Sequence, residues 1–350
     1  MRQNRRLPQI VAAASTALLL VGCGTGASGG SAPVTGEPVS DGVFTLYSGR
    51  SESLVQPLID LFEAQSGISV EVRYGDTAEL GALLLEEGES SPAQAFLSQD
   101  AGALGALAEA DLFAPLPSEI ADRVPAGFTS TDDSWVGVTG RARVIVYDSD
   151  VLTSEQVPAS VEAFAAPEWS GRLAIAPSNA SFQSFITAYR VLKGESVADE
   201  WVAAVAANDP QLFENNGAIL TAVNDGVAPV GLINHYYWYR LASEVGDDQM
   251  RAQLSFPQAG DPGSIVNVTG AGLLRSGATD ADALEFIDFL VSPDAQQYFV
   301  DETFEYPLIS GVAAPEGLPK LDSLLNEDLD LADLRTLEVT QALLAKYGLI

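Results

Sequence analysis

The sequence predicts an α/β fold divided into two lobes by a hinge, and three observations carry that reading. Short β-rich runs alternate with helix-period segments between residues 43 and 110, and the alternation returns after residue 173. Two long extended runs, residues 135–147 and 264–274, connect the two regions. Each lobe is then discontinuous in sequence, 42–142 with 262–312 and 143–261 with 313–350, with a cleft between them.

The elements follow in order. Residues 43–47 (VFTLY) form a β-rich run, and residues 54–65 an amphipathic helix stopped by Gly67. Residues 68–73 alternate with period two. Asp76-Thr77-Ala78-Glu79 has the form of a capping box opening a helix that Gly88 ends. Residues 93–98 read as a strand and 101–110 as a helix rich in Ala and Leu. This βαβαβ order predicts a mainly parallel sheet with helices on both faces. Ligands of such sheets sit at the carboxyl ends of the strands, where Ser48-Gly49-Arg50-Ser51 and Ser98-Gln99-Asp100 fall. In the second region, residues 173–175 are a strand, 181–192 a helix, and 230–233 a strand running straight into Asn234-His235-Tyr236-Tyr237-Trp238-Tyr239. Residues 281–290 have helical periodicity, Ser292-Pro293 opens another helix, and the acidic stretch 322–333 reads as a solvated terminal surface.

The N-terminus sets the compartment. Arg2, Arg5 and Arg6 precede an apolar run over residues 10–21, too short for a comfortable membrane span and suited to a signal peptide. It ends in Leu20-Val21-Gly22-Cys23, which resembles a bacterial lipobox. The resemblance implies removal of residues 1–22 and lipidation of Cys23, placing the protein on the extracytoplasmic face of the membrane, at the cell surface or in the periplasm. Residues 23–41, rich in Gly, Ser, Thr and Pro, suit a flexible tether.

Composition excludes several functions. Of 350 residues, 17 are Lys or Arg and 48 are Asp or Glu, a net charge of −31 that repels nucleic acid. The same excess attracts cations, or simply confers solubility. One cysteine and one histidine allow no internal disulfide, thiolate zinc cluster or His-rich metal site. There is no GxSxG elbow, P-loop, HExxH or EF-hand pattern. A chain without nucleophiles and cofactor loops reads as a binder.

Two features carry chemistry. Tyr236, Tyr237, Trp238 and Tyr239 follow a buried strand and read either as an aromatic packing or sugar-stacking cluster or as phenolate metal ligands. A phenol has a pKa of about 10, so ligation near neutrality needs a hard, highly charged ion such as Fe³⁺. Asn179-Ala180-Ser181 stands at a strand-to-helix junction, where it is either a simple cap or an anion site built from first-turn amides.

With these residues in place, the chain resembles the ferric-ion-binding proteins of bacterial iron ABC transporters. The likeness runs through Tyr47-Ser48-Gly49-Arg50-Ser51-Glu52, Arg73-Tyr74-Gly75-Asp76, Gln99-Asp100-Ala101-Gly102, Gly140-Arg141-Ala142-Arg143-Val144, Asn234-His235-Tyr236-Tyr237-Trp238-Tyr239-Arg240 and Glu305-Tyr306-Pro307-Leu308. It implies a type 2 periplasmic-binding-protein fold and no catalysis. Fe³⁺ would be held in the cleft by Tyr236 and Tyr237 and delivered to an ABC permease by a monomer. A synergistic anion such as phosphate or carbonate would be bound by Asn179, Ala180 and Ser181, with Asn216 and Asn234 contributing. The first lobe departs from the family pattern. Ser51 stands where members place a histidine, Gln99 where they place a glutamate, and Phe182 where some have a third tyrosine. Glu52 and Asp100 are substitutes by charge or else cap and hinge residues, and Arg50 and Arg141 are candidates to balance an anion. The competing readings are a binder of an organic solute or oxyanion and a cell-surface enzyme using a cleft carboxylate pair.

Overall fold

The computed structural model describes residues 38–326 and 328–350. The expected signal peptide, the expected lipidation site Cys23 and nearly all of the expected tether therefore lie outside the described residues. Among these, no helix is long and apolar enough to cross a membrane.

Eleven strands form one mixed sheet: β1 Val43–Ser48, β2 Ser69–Tyr74, β3 Ala95–Ser98, β4 Phe113–Ala114, β5 Val136–Asp148, β6 Leu173–Ile175, β7 Gln211–Leu212, β8 Val230–Asn234, β9 Ala252–Ser255, β10 Val266–Leu274 and β11 Tyr306–Pro307. The main order is β2-β1-β3-β10-β5-β8-β6-β7. The trio β2-β1-β3 is parallel, as is β8-β6-β7. The expectation of a mainly parallel sheet fails at the centre, where β10 and β5 run antiparallel to their neighbours. Those two strands are the long extended runs of the sequence, and hydrogen bonding between them joins the parallel trios into one sheet.

β5 changes partners partway along. Its residues up to Ala142 pair with β10, and from Arg143 onward they pair with β8 and β9. Every residue of β5 is buried, including Arg141 and Arg143. Two guanidiniums are thus held inside the crossing strand, which is unusual enough to require partners.

Aromatic packing anchors the two parallel trios. Phe62 of helix Glu52–Ser66 meets Phe286 and Phe289 of helix Ala281–Leu290 at 5.1 and 5.3 Å between ring centroids, against Phe44 of β1. On the other side, Phe185 and Tyr189 of helix Ala180–Lys193 pack on Trp201 of helix Glu195–Ala207 at 5.7 and 5.1 Å. Asp76 caps helix Thr77–Glu87 by accepting from the Ala78 amide, and Gly88 closes it. Ser292 and Pro293 open helix Pro293–Tyr298 as their sequence predicts.

The acidic terminal stretch is not simply a solvated surface. Asp322, Asp328 and Asp330 are exposed, but Leu324 and Leu331 within the stretch and Leu334 just after it are buried in the core. Apolar burial at these three positions holds a chain whose charges would otherwise keep it in solvent.

Candidate functional site

The strand expected over residues 230–233 is present and extends by one residue. β8 stops at Asn234, and helix Tyr236–Val245 begins within the run itself. In an extended chain Tyr236 and Tyr237 would point to opposite faces. In the first helical turn their rings instead stack, with centroids 4.4 Å apart and planes 27° apart. Tyr236 is 2% exposed, and Tyr237 is half-buried.

Three buried arginines act on this pair. Arg50 lies in the loop after β1, and Arg141 and Arg143 alternate along β5 on either side of Ala142. Arg50 donates to Thr269 Oγ1 at 3.0 Å and forms a closely bonded ion pair with Glu305, which also accepts from Thr139 Oγ1. Burial alone would lower the Arg50 pKa, but Glu305, together with Tyr236 and Tyr237, more than offsets this and holds it above the ordinary value. Arg141 donates to the Val268 carbonyl at 3.4 Å, while its Nε and Nη1 have no protein partner. Its cross-strand neighbour Asn267 likewise has an unpartnered amide nitrogen.

Arg143 organises the second half of the site. Its Nη1 reaches Ser181 Oγ and Asn216 Oδ1 at 3.2 Å and Asn234 Oδ1 at 3.4 Å, and its Nη2 donates to the Leu232 carbonyl at 3.0 Å. Its guanidinium also lies 5.5 Å from the Phe182 ring centre. Burial lowers its pKa to about 9, against an opposing influence from Tyr237 and Tyr236.

Asn179, Ser181, Asn216 and Asn234, expected from the resemblance to hold an anion, form one network. Asn179 Oδ1 accepts from the Ser181 amide at 3.2 Å, capping the helix that starts at Ala180. Asn216 Nδ2 donates to Asn179 Oδ1 and Ser181 Oγ at 3.1 and 3.0 Å, and the Asn234 amide donates to Asn216 Oδ1 at 3.2 Å.

The first-lobe candidates separate into two groups. Ser51 and Glu52 are exposed at the start of helix Glu52–Ser66. Gln99 is half-buried, and its backbone amide donates to Thr77 Oγ1 at 3.0 Å. Asp100 is buried but occupied, capping helix Ala101–Glu109 through the Gly102 and Ala103 amides. Burial raises its pKa, while Arg141 and those amides lower it. Gly49 is sterically required, because a Cβ there would fall 1.9 Å from Thr77 Oγ1.

Burial pushes the Tyr236 phenol well above the ordinary tyrosine value. Tyr237 pushes it further, and Arg50 and Arg141 pull it back. The neighbourhood therefore contains three guanidiniums against two carboxylates, Glu305 and Asp100, both already bonded. The guanidiniums favour negative oxygen, whether phenolate or oxyanion, against the burial that disfavours it. Among the described residues, no three His, Cys, Asp or Glu side chains gather as a metal cage. The remaining hard donors are the phenols, and they suit a trivalent ion better than a soft or divalent one.

Sequence reasoning missed Arg143 and Glu305 as parts of the site. Both stand in segments that carried the resemblance, but only the fold shows that residues 143 and 305 converge on Tyr236. A cavity of about 760 Å³, lined by Trp238, Tyr239, Phe304 and residues 313–317, includes none of the three arginines.

A family model described as bacterial extracellular solute-binding protein matches residues 90–329. The chain belongs to this family. The Fe(3+)-binding periplasmic protein of Serratia marcescens is 32% identical to this solute-binding protein over 312 residues, covering 89% of this chain and 92% of the relative. Iron-bound HitA from Pseudomonas aeruginosa superposes with a TM-score of 0.83 at 30% identity, covering 87% of this chain and 99% of the other. A Trichodesmium protein (IdiA, FutA) in complex with iron and citrate ligands gives a TM-score of 0.76 at 29% identity, covering 88% and 100%. The two-lobed fold read from the sequence agrees with these neighbours, and the solute-binding protein is not an enzyme.

Proposed function

We propose that this solute-binding protein captures ferric iron outside the cytoplasm and delivers it to the permease of an ABC importer. The observation that carries the reading is the stacked Tyr236–Tyr237 pair, one ring buried and the other half-buried, set among Arg50, Arg141 and Arg143. The relatives named for ferric iron support it. On this reading the two phenolates ligate Fe³⁺ as cargo, and the arginines stabilise the phenolates and an accompanying oxyanion. Two phenolates leave one ferric charge and several coordination positions unsatisfied, so phosphate, carbonate or citrate completes the shell.

The oxyanion has two groups of donors available. One is the Asn179, Ala180, Ser181, Asn216 and Asn234 network, reached by turning amides outward from Arg143. The other is the unpartnered edge of Arg141 and Asn267. The lobes are taken as 42–142 with 262–312 and 143–261 with 313–350, and the change of partner along β5 at Ala142 and Arg143 supports the first boundary. Lipidation at Cys23 would tether the monomer to the membrane.

Visible spectroscopy tests the assignment. Ferric iron supplied as a soluble chelate gives a tyrosinate-to-Fe³⁺ charge-transfer band, and Tyr236→Phe or Tyr237→Phe abolishes it while the fold persists. Repeating the titration in anion-depleted buffer, then restoring phosphate, carbonate or citrate, shifts the band with each anion. A normal band in both Phe variants refutes ferric ligation by these tyrosines.

A further inference from the structure

We infer that His235 is a positioning residue, the pin that holds the tyrosine pair at the crossing of the sheet. It stands where three segments meet: the point at which β5 changes partners, the first turn of the helix bearing Tyr236 and Tyr237, and the turn at Phe304 and Glu305.

The hydrogen bonds assign the role. The Ala142 amide donates to His235 Nδ1 at 3.1 Å, and the His235 amide donates to the Ala142 carbonyl at 3.0 Å. Ala142 is thus bracketed from both sides by one residue, at the last position of β5 that pairs with β10. Because Nδ1 accepts, the ring proton lies on Nε2, which donates to the Phe304 carbonyl at 2.9 Å. The imidazole is fully buried among the rings of Tyr236, Tyr239 and Tyr306, at centroid distances of 6.0, 6.2 and 5.1 Å.

The far end of this bridge is a constrained turn. Residues Phe299–Thr303 form a π-helical turn, and Phe304 follows at φ 58°, a left-handed conformation that costs a bulky residue energy. The bond from the imidazole to the Phe304 carbonyl helps to hold it. The next residue, Glu305, binds Arg50 and Thr139, and Arg50 in turn acts on Tyr236. His235 therefore fixes the helix start on one side of the tyrosines and, through Phe304 and Glu305, the arginine on the other. No other side chain type of this size supplies an acceptor and a donor on opposite edges of a flat ring.

The test uses the full mature chain with His235→Phe, which keeps the ring but loses both side-chain bonds, and His235→Asn, which can keep only the acceptor toward Ala142. The loading arm rests on the proposed ferric function. With ferric citrate as probe, His235→Phe should shift the charge-transfer band and release iron to EDTA at least about tenfold faster than wild type, as expected from leaving the buried Ala142 amide and the Phe304 carbonyl without their partner. His235→Asn should fall between. Small-angle scattering of the unloaded proteins should show a larger radius of gyration for His235→Phe, with His235→Asn again intermediate. Should His235→Phe fail to fold, His235→Asn carries the test alone. Wild-type band, release rate and scattering in a folded variant would overturn the inference. Absence of a band in wild type would count against the ferric function, and the scattering of the unloaded proteins would still decide the role of His235.

Discussion

Replacing Glu305 with Gln separates two roles of one buried carboxylate. Gln keeps the volume and can still accept from Arg50, but it leaves the guanidinium, 2% exposed, without a counter-charge. A pair of opposite charges about 4 Å apart attracts by roughly 4 kcal/mol at an effective dielectric of about 20. Breaking buried pairs by removing one partner costs about 3–5 kcal/mol, which agrees. For a fold of about 300 residues, with unfolding entropy near 2.1 cal/mol/K per residue, that loss lowers the melting temperature by about 5–8 °C. The charge change acts on the site in the opposite direction. Glu305 raises the Tyr236 pKa, so its removal makes that phenol more acidic and ferric loading persists to lower pH. Calorimetry and a pH series of the charge-transfer band measure the two effects on the same samples. The double variant Arg50→Met with Glu305→Leu recovers most of the stability, because an apolar pair leaves no stranded charge. A melting temperature within about 1 °C of wild type for Glu305→Gln would refute the ion-pair argument.

Two further predictions follow from the same chemistry. Burial holds the Tyr236 phenol protonated in the unloaded site, so ferric ligation displaces that proton; apparent affinity then falls at least about tenfold for each unit drop in pH, and a competition titration with a chelator of known pH dependence would refute this by giving a flat profile. Cys23→Ser releases the protein from the membrane fraction, and retention of the variant on membranes would argue against the lipid anchor.

Elements with strong local signals were legible in the sequence. Residues 281–290 and 173–175 have the predicted limits, and the caps at Asp76 and Ser292 lie where their side chains predict. Strand direction was less legible, because β5 and β10 acquire their antiparallel partners from segments far away in the sequence, Arg143 opposite Asn234 and Ala142 opposite Val266. The helix at Tyr236 was missed for a related reason. Adjacent aromatic residues favour strands by propensity, so nothing local announces a helix that begins at Tyr236. Tyr236, Tyr237 and the Asn179–Ser181 cap were visible because each announces itself within a few residues. Glu305 and Arg143 act only through partners on other strands, and no local pattern marks them.

The buried arginines reverse the sign of the field between the exterior and the interior. The chain carries a net charge of −31, yet three of its seventeen basic side chains are gathered around two phenols. A hydrated cation approaching from solution is drawn toward the exterior and then meets positive charge within. Calcium or magnesium can linger among the outer carboxylates, but the described residues offer no inner carboxylate cage to receive it. Passage inward favours a metal that arrives with its own negative escort, as a neutral or anionic complex. Discrimination is thereby arranged in depth, with the outer layer gathering cations indiscriminately and the inner layer admitting them by company.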